Sequence, residues 1–422
     1  MPIKTVLYKP YYTNSIAMKK IDLYIQHNFS GELTIEDKNY IFNYTQPCDN
    51  SHQASLTMPV RMRSYQHNEL FPIFEMNLPE GYLFEIFKNI LQKQHGEINN
   101  FTLLAYLGSS SHGRLSYQNN FLAPPENQHS DTPFTKQDVL NSDDNDLFSR
   151  LLTTFLSRTI ISGMQPKVVA PLTEKANLTT DEYIIKSWGD AYPCLSENEH
   201  FCLKAAQRAG LKTVNFSLSE NRKLLLVKRF DTVKNGSPQP GFEEVCVLQG
   251  KNKSQKYLGS YEQVIKTIET FTSEEHRQIS IRETYKNILL SFILRNGDAH
   301  LKNFGILYSA DLTDRYLAPA YDIVNTTTYL PKDTPALTLF GKKLWWGRKQ
   351  LIKFGTEQCK LFPQEAEHIY QQCMTAMQET RQELIYYINN TPEFADIGNK
   401  IVSSWKTSES AETIKDISHE LH

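Results

Sequence analysis

A carboxylate and an amide stand five residues apart in the segment NGDAHLKNF, which occupies residues 296–304. The carboxylate of Asp298 can accept the proton of an attacking hydroxyl, and the oxygen of Asn303 can face a magnesium ion that bridges phosphates. Lys302 lies beside the amide and could neutralise charge on a transferred phosphoryl group. The residue types and their spacing therefore indicate phosphoryl transfer, with these three residues as the catalytic candidates.

A second acidic residue, Asp322, ends the segment LAPAYD. The chain before it is long enough for a hairpin, with strands at Phe304 to Tyr308 and at Arg315 to Ala318. Such a hairpin would return Asp322 beside Asn303. Mg²⁺ prefers hard oxygen ligands and takes few of them from protein. The sequence therefore predicts that Asn303 and Asp322 ligate Mg²⁺.

Each of these residues also has an ordinary structural explanation when it is taken alone. Asp298 could cap a helix or occupy a turn, and Asn303 could be a turn residue. His300 is better explained as a residue that orients the loop at the nucleotide site than as a base. The combination of D-x-H-x-K-N with a following P-x-Y-D is much more specific, and it favours the catalytic interpretation.

Phosphoryl transfer from a nucleotide also needs a lysine that reaches the phosphates from a strand. Lys186 ends the strand-like segment YIIK, and the helix predicted at Ser196 to Ala209 offers Glu199 as its ion-pair partner. Alternatively, Lys186 is a solvated strand end and Glu199 only completes a capping box with Ser196. The downstream set of Asp298, Asn303 and Asp322 favours phosphate binding by Lys186.

The remaining nucleotide contacts are predicted around one loop and one strand. The loop precedes Lys186 and contains a single glycine, so it matches neither G-x-G-x-x-G nor the Walker A pattern. Its candidate phosphate-binding residues are Ile161, Ser162, Gly163 and Met164. The strand Leu224 to Phe230 could present the backbone near Lys228 and Phe230 to adenine, with Asp231 near the ribose, or could simply be core.

Composition excludes several classes of protein. The 422 residues carry a net charge of −2, so no overall basic field attracts nucleic acid or an anionic membrane. None of the six cysteines forms a C-x-x-C pair, which argues against a zinc site or a disulfide framework. The N-terminus is polar and has no apolar leader. We expect a cytoplasmic protein with no membrane partner.

The order of elements predicts an α+β fold with two lobes, a mixed α/β lobe followed by a mostly helical one. A hairpin is predicted from Ile21 to Gln26 and from Gly31 to Ile35, and a helix from Gln364 to Ile388. The predicted divisions are an N-terminal subdomain at 1–122, a linker or surface loop at 123–146, a small lobe with phosphate loop and hinge at 147–243, and a helical catalytic lobe at 244–422.

Several segments together resemble the HipA family of kinase toxins from bacterial toxin–antitoxin pairs. Those segments are NLPEG at 77–81, LLAYLGSSSHG at 103–113, SGMQPK at 162–167, YIIK at 183–186, ENE at 197–199, VKRFD at 227–231, KYLG at 256–259, NGDAHLKNF at 296–304 and LAPAYD at 317–322. The resemblance covers most of the chain, from about residue 20 to about residue 400. It implies a two-lobed protein-kinase-like fold with an extra N-terminal subdomain, and ATP and Mg²⁺ as cofactors.

The resemblance also implies an activity and its partners. Family members are serine/threonine protein kinases that phosphorylate a protein, in known cases an aminoacyl-tRNA synthetase, and so arrest growth. A helix-turn-helix antitoxin of the HipB type neutralises them, and they meet DNA only through that antitoxin. The implied roles are catalysis for Asp298, Mg²⁺ ligation for Asn303 and Asp322, and phosphate binding for Lys186.

This sequence departs from the family pattern at two positions. Many members autophosphorylate a serine three residues before the loop glycine, where this chain has Ile160. Ser162 is the alternative autophosphorylation candidate, and Thr159 is a weaker one. A phosphate there would repel the nucleotide phosphates. The hinge has Lys228 where the family commonly has Glu.

Other functions remain open at this point. The chain could be an inactive kinase fold used as a binding module, a kinase that acts on a small molecule, or an exported effector kinase. An intact set of Asp298, Asn303, Asp322 and Lys186 argues against the inactive alternative. The long N-terminal subdomain favours a protein target over a small molecule.

Overall fold

The structure is a computed structural model that describes residues 20–37, 39–45, 49–95, 98–108, 113–122, 134–144, 146–155, 165–174, 179–232 and 238–417. The described part of residues 20–122 forms an antiparallel five-stranded sheet with strand order β4-β3-β2-β1-β5, together with three α-helices. Its elements are β1 Lys20–Ile25, β2 Asn28–Glu36, β3 Asn39–Tyr44, β4 Tyr65–His67, α1 Pro72–Glu75, α2 Gly81–His95, α3 Asn100–Leu107 and β5 Leu115–Asn119.

The predicted hairpin is confirmed by the antiparallel pairing of β1 with β2. Gln26 and His27 both have positive φ, 48° and 68°, as the tight turn of a hairpin requires. Side chains of β1 alternate in burial, and Phe42 and Phe74 pack edge to face at 5.3 Å in the core of this subdomain. This core is separate from that of the helical lobe.

The predicted linker contains regular structure in its described part. Helix α4 (Lys136–Leu140) begins after Thr135, whose Oγ1 accepts a hydrogen bond from the Asp138 N–H at 3.1 Å. Helix α5 (Leu147–Phe155) follows it. Val139 and Leu151 are fully buried against the next sheet. The prediction of a linker or surface loop is therefore wrong for Lys136–Leu140, because this helix buries Val139 against a sheet.

A four-stranded antiparallel sheet with order β6-β7-β9-β8 forms the small lobe. Its elements are β6 Lys167–Glu174, β7 Thr179–Lys186, α6 Leu195–Arg208, β8 Phe216–Leu218 and β9 Leu225–Lys228. The predicted capping box is wrong, because Cys194 is the N-cap residue of α6 and the Ser196 hydroxyl donates to the Lys223 carbonyl at 3.1 Å. The carboxylate of Glu199 is therefore not used as a cap.

The catalytic lobe is mostly helical, as expected. Its elements are β10 Gly241–Glu244, α7 Val245–Leu248, α8 Tyr261–Phe271, α9 Glu274–Ile293, β11 Gly305–Tyr308, β12 Arg315–Leu317, α10 Arg348–Glu357, α11 Pro363–Asn389 and α12 Ala395–Ile417. The predicted hairpin is confirmed as β11 paired with β12, and the predicted long helix as α11. Within the described ranges, no helix is both long enough and apolar enough to cross a membrane.

Helix α6 of the small lobe packs directly on α11 of the catalytic lobe. Glu383 of α11 forms ion pairs with Lys204 and Arg208 of α6. One helical turn further along α11, the Tyr387 ring lies 5.1 Å from that of Phe201 in a tilted, edge-on contact. The helix that carries Glu199 is therefore held by the larger lobe along much of its length.

Candidate active site

Three charged side chains from three separate segments meet between the lobes. The Lys186 ammonium at the end of β7 lies 2.6 Å from Glu199 Oε1 on α6, and it also contacts Asp322 Oδ1 beyond β12. Lys186 is 4% exposed and Glu199 is 1% exposed. The structure thus brings together the lysine, the helix glutamate and the second aspartate that the sequence singled out. We call these three residues the cleft cluster.

Lys186 and Asp322 of the cleft cluster hold each other in their charged forms, whereas burial raises the pKa of Glu199. Burial lowers the pKa of Lys186, but the carboxylates of Asp322 and Glu199 outweigh burial and raise that pKa above its ordinary value. Burial raises the pKa of Asp322, but Lys186 and Lys167 outweigh it and hold that pKa well below its usual range. Asp322 is therefore an anion, which suits a ligand of a metal cation.

The backbone of Asp322 adopts an uncommon conformation. Its φ is 53°, in the left-handed region, which costs a residue other than glycine about 1–3 kcal/mol. The Tyr321 hydroxyl donates to the Lys302 carbonyl at 2.6 Å. Because Asp322 follows Tyr321 and Asn303 follows Lys302, this hydrogen bond joins the segments that carry the two predicted metal ligands. The Asp322 side chain is 41% exposed and so remains open to the cleft.

The loop after α9 closes on itself around Asn303. Its Oδ1 accepts the backbone N–H of His300 at 2.9 Å, and Leu301–Asn303 form a short 3-10 turn. An amide oxygen has two lone pairs, so this bond leaves one of them for a cation. Asn303 is 6% exposed, and its position is fixed by the turn.

Asp298 is the most open of the predicted catalytic residues. Half of its side chain is exposed, and its Oδ1 accepts a hydrogen bond from the Tyr257 hydroxyl at 2.7 Å. The surrounding protein partly desolvates the carboxylate and raises the pKa of Asp298, although Tyr257 and Lys256 act in the opposite direction. A carboxylate that is reachable from solvent and more basic than usual suits a proton acceptor.

His300 is buried and neutral. Burial, with help from Lys256 and Lys302, lowers the pKa of His300 to about 3. Its Nε2 lies 3.9 Å from Asp298 Oδ1, which is too long for a hydrogen bond, and its ring packs edge-on against Tyr257 at 5.1 Å. These contacts fit a residue that orients the loop.

The surroundings of Lys302 differ from those expected for a lysine that contacts the transferred phosphoryl group. Its ammonium is buried between two carboxylates, in contact with Glu80 of the N-terminal subdomain and 3.8 Å from Glu244 at the end of β10. We call Lys302, Glu80 and Glu244 the interface cluster. The charge of Lys302 is already compensated there, so the structure favours a role in holding the loop over a direct contact with the transferred phosphoryl group.

The predicted hinge residues make contacts among themselves. The Lys228 ammonium lies 2.5 Å from Asp181 on β7, and the Lys228 N–H donates to the Asn215 carbonyl. The Phe230 N–H has no hydrogen-bond acceptor among the described residues, so it could donate to a ligand. Asp231 accepts a hydrogen bond from Arg229 at 2.7 Å, so a ribose would share this carboxylate.

The predicted phosphate loop, Ile161 to Met164, lies outside the described residues, as do Thr159 and Ile160. The chain is described again from Gln165, where the Pro166 carbonyl accepts the Ser187 N–H at 2.9 Å. Lys167 pairs in register with Lys186 across β6 and β7. The sheet therefore places Lys167, three residues after the predicted loop in the sequence, beside Lys186.

Sequence reasoning assigned no role to Lys167 or Tyr257, although both stand in segments that carry the family resemblance. Lys167 is 5% exposed, and burial lowers the pKa of Lys167 to about 8. Tyr257 touches Asp298. Neither residue could be identified from local spacing in the sequence. Tyr257, for example, lies 41 positions from its partner Asp298.

Two family models match the chain. The model of the HipA N-terminal domain matches residues 21–118, and the model of the HipA-like C-terminal domain matches residues 159–381. The second match alone spans more than half of the 422 residues.

Several named relatives share part of the sequence. A Haemophilus influenzae protein named "Putative kinase" is 29% identical over 186 residues, which are 40% of this chain and 53% of that protein. Two Sinorhizobium fredii proteins have names that begin with the same words. The first is 28% identical over 39% of this chain and 43% of its own length. The second is 26% identical over 70% of this chain and 74% of its own length. The chain therefore spans about half the length of the first two relatives.

The fold recurs in a solved structure. A chain of the Shewanella oneidensis toxin–antitoxin complex of HipA, HipB and operator DNA superposes with a TM-score of 0.67 at 16% identity. The match covers 92% of this chain and 97% of that chain. With both lobes and the N-terminal subdomain accounted for by these matches, the chain belongs to the HipA family and has its two-lobed, protein-kinase-like fold.

Proposed function

We propose that this chain is an ATP- and Mg²⁺-dependent serine/threonine protein kinase. The observation that carries the proposal is the cleft cluster, in which a buried lysine joins a helix glutamate to an open aspartate. The half-exposed carboxylate of Asp298 adds a proton acceptor near that cleft. Kinase-like folds use this combination to hold a nucleotide and to transfer its terminal phosphoryl group.

The reaction follows from the positions of these groups. The oxygen of a substrate hydroxyl forms a bond to the γ-phosphorus of ATP, and the bond from that phosphorus to the β–γ bridging oxygen breaks, which releases ADP. Asp298 accepts the hydroxyl proton. Lys186 compensates charge on the nucleotide phosphates and is held for that task by Glu199.

The oxygens of Asn303 and Asp322 fit a magnesium ion. Both are hard donors, Asp322 is an anion, and a cation, the Lys186 ammonium, already contacts it. Mg²⁺ at this place would neutralise phosphate charge and fix the phosphates for in-line transfer. Lys186 has Glu199 as a second partner, so it stays paired when Asp322 turns to another cation.

Nucleotide binding would use the segments on either side of the cleft. We assign the adenine contact to the backbone around Lys228 and Phe230, with the Phe230 N–H as the donor. Asp231 would reach the ribose. The loop from Ile161 to Met164 would cover the phosphates, because the strand after it runs beside Lys186.

Membership in the HipA family supports a more specific function. We propose that the chain is a cytoplasmic toxin that phosphorylates a protein, such as an aminoacyl-tRNA synthetase, and so arrests growth. A HipB-like helix-turn-helix antitoxin would bind it, and DNA would be met only through that antitoxin. The shared fold with a chain solved together with HipB and operator DNA supports this partner. Autophosphorylation at Ser162 would silence the kinase by repelling the nucleotide.

The test compares the wild-type protein with Asp298→Ala and Asp298→Asn. Each is incubated with Mg²⁺ and γ-labelled ATP, and phosphorylated sites are mapped by mass spectrometry. We expect label in the wild type alone, with Ser162 the first site to inspect. Both variants should still bind Mg²⁺–ATP in calorimetry, since Asp298 lies outside the cleft cluster. A variant that keeps the full rate of transfer contradicts the assignment of Asp298.

A wild-type protein that binds Mg²⁺–ATP but transfers nothing, even to candidate protein targets, would favour the binding-module alternative. A wild-type protein that does not bind the nucleotide at all would overturn the proposal.

A further inference from the structure

One buried carboxylate of the N-terminal subdomain reaches the loop at residues 296–304, which carries Asp298 and Asn303 and which we call the catalytic loop. Glu80 belongs to the segment NLPEG, directly before α2, and is 8% exposed. Its Oε1 contacts the Lys302 ammonium, and its Oε2 lies 3.9 Å from Lys256. Three segments that carry the family resemblance, at 77–81, 256–259 and 296–304, therefore meet at a single side chain.

The pairing of Glu80 with the loop is ionic. Burial raises the pKa of Glu80, but Lys302 and Lys256 outweigh it and hold that pKa below its usual value. The Lys302 ammonium lies between the carboxylates of Glu80 and Glu244, 3.8 Å from the latter. Both side chains are almost fully removed from water, so replacing Glu80 takes away the closer of the two carboxylates beside the Lys302 ammonium.

The contact is close to the reacting groups along the chain. Lys302 immediately precedes Asn303, and its carbonyl accepts the hydroxyl of Tyr321, the residue before Asp322. Fixing Lys302 therefore fixes the backbone next to both predicted metal ligands. A second contact reinforces the same boundary, since Glu243 accepts the Leu56 N–H at 2.8 Å.

We propose that Glu80 is a positioning residue of the active site, and that the N-terminal subdomain completes the catalytic loop by holding Lys302. This inference rests on the proposed kinase function for its kinetic consequence, but the positioning itself is a property of the protein alone. Glu80 touches no reacting atom. It acts through Lys302 on the placement of Asn303 and of Asp298.

The alternative is that Glu80 only attaches the subdomain to the catalytic lobe. Glu75 provides a matched control, because it belongs to the same subdomain and is also 8% exposed. Its carboxylate accepts the backbone N–H of Lys253 in the catalytic lobe at 2.7 Å, without touching the catalytic loop. Glu75→Gln therefore weakens the same attachment without releasing Lys302.

The kinetic test compares Glu80→Gln with Glu75→Gln. We expect Glu80→Gln to lower kcat by about 10- to 100-fold while KM for ATP changes by less than about threefold, since the cleft cluster is intact. Glu80→Asp should recover part of kcat. Glu75→Gln should keep a kcat close to that of the wild type. Equal losses of kcat in the two Gln variants would overturn the proposal.

A double-mutant cycle tests whether Glu80 acts through Lys302. If it does, Glu80→Gln combined with Lys302→Met loses no more kcat than Lys302→Met alone. Independent, multiplying losses would show that Glu80 acts by another route and would overturn the mechanism.

Hydrogen exchange separates this inference from the proposed function, because it needs no activity. Amide exchange of residues 296–304 is measured without nucleotide in the wild type and in the variants Glu80→Gln and Glu75→Gln; Glu80→Asp replaces Glu80→Gln if the latter does not fold. We expect faster exchange in this segment only when residue 80 is changed. This outcome supports the positioning role even if the wild type proves to be no kinase. Unchanged exchange overturns it even in an active kinase.

Discussion

The cleft cluster and the interface cluster are built from the same parts. Each has one buried lysine between two carboxylates, and each joins segments that are distant in the sequence. They differ in access to water. In the interface cluster every side chain is at most 10% exposed, whereas Asp322 in the cleft cluster is 41% exposed.

This difference in exposure separates two uses of one chemical motif. A carboxylate that faces solvent can leave its lysine for another cation, because water compensates the charges during the exchange. A carboxylate that is sealed away from water cannot leave without a large desolvation cost. The cleft cluster is thus suited to exchange partners with a ligand, and the interface cluster is suited to keep a fixed geometry.

The largest expected effect comes from breaking the open member of the cleft cluster. Asp322→Ala should lower phosphoryl transfer by about 10³-fold, because it removes a ligand of the Mg²⁺ that would neutralise charge on the phosphates. Mg²⁺-dependent ATP binding, measured by calorimetry, should be lost. The Lys186–Glu199 pair survives, so the free energy of unfolding should change by less than about 1 kcal/mol. Asp322→Asn controls for the backbone, since Asn tolerates positive φ. Mg²⁺-dependent ATP binding by Asp322→Ala would contradict the metal assignment.

Disrupting the interface cluster should instead lower the free energy of unfolding. Lys302→Met leaves Glu80 and Glu244 buried without their cation and should cost about 3–5 kcal/mol in the free energy of unfolding, measured with urea. The matched control is Lys400→Met, which breaks an exposed pair with Asp396 and should cost at most about 1 kcal/mol. Similar urea midpoints for the two variants would show that the interface cluster is not sealed.

A smaller expected effect concerns the charge of Lys167 beside the cleft cluster. Burial lowers the pKa of Lys167 to about 8, so the ligand-free protein loses this charge as the pH rises from 7 to 9. Nucleotide phosphates favour the charged form, so binding above pH 8 must take up a proton. Affinity for Mg²⁺–ATP should therefore fall about tenfold between pH 7 and pH 9. Calorimetry at both values checks this, and Lys167→Met should remove the dependence. An equal slope in that variant would assign the proton to another group.

The parts of the site that follow from local spacing could be predicted from the sequence. The distance from Asp298 to Asn303 fits one turn, and the hairpin of β11 and β12 follows from two apolar runs around a polar turn. The pairing of Lys186 with Glu199 could also be predicted, because a strand followed at once by a helix leaves few arrangements. Local chain geometry determines all three.

The remaining features of the site and the fold depend on contacts between segments that are far apart in the sequence, so local spacing does not predict them. Glu80 and Lys302 are 222 positions apart, and only the packing of two subdomains brings them together. The start of α6 was misplaced because Ser196 and Glu199 have capping-box spacing, whereas tertiary structure uses both side chains elsewhere. The linker or surface loop predicted at 123–146 contains α4, because Val139 is buried against a sheet, which the polar composition of this segment does not reveal.

The packing of α6 on α11 bears on how a kinase with this structure could be inactivated. Many kinase-like folds are turned off by swinging the helix that carries the glutamate away from its lysine. Here that movement would break the ion pairs of Glu383 and separate the rings of Phe201 and Tyr387 at the same time. These contacts oppose a rotation of α6 away from Lys186. For the proposed kinase, an off state that acts on the nucleotide or on access to Asp298 keeps the contacts, whereas one that rotates α6 loses them.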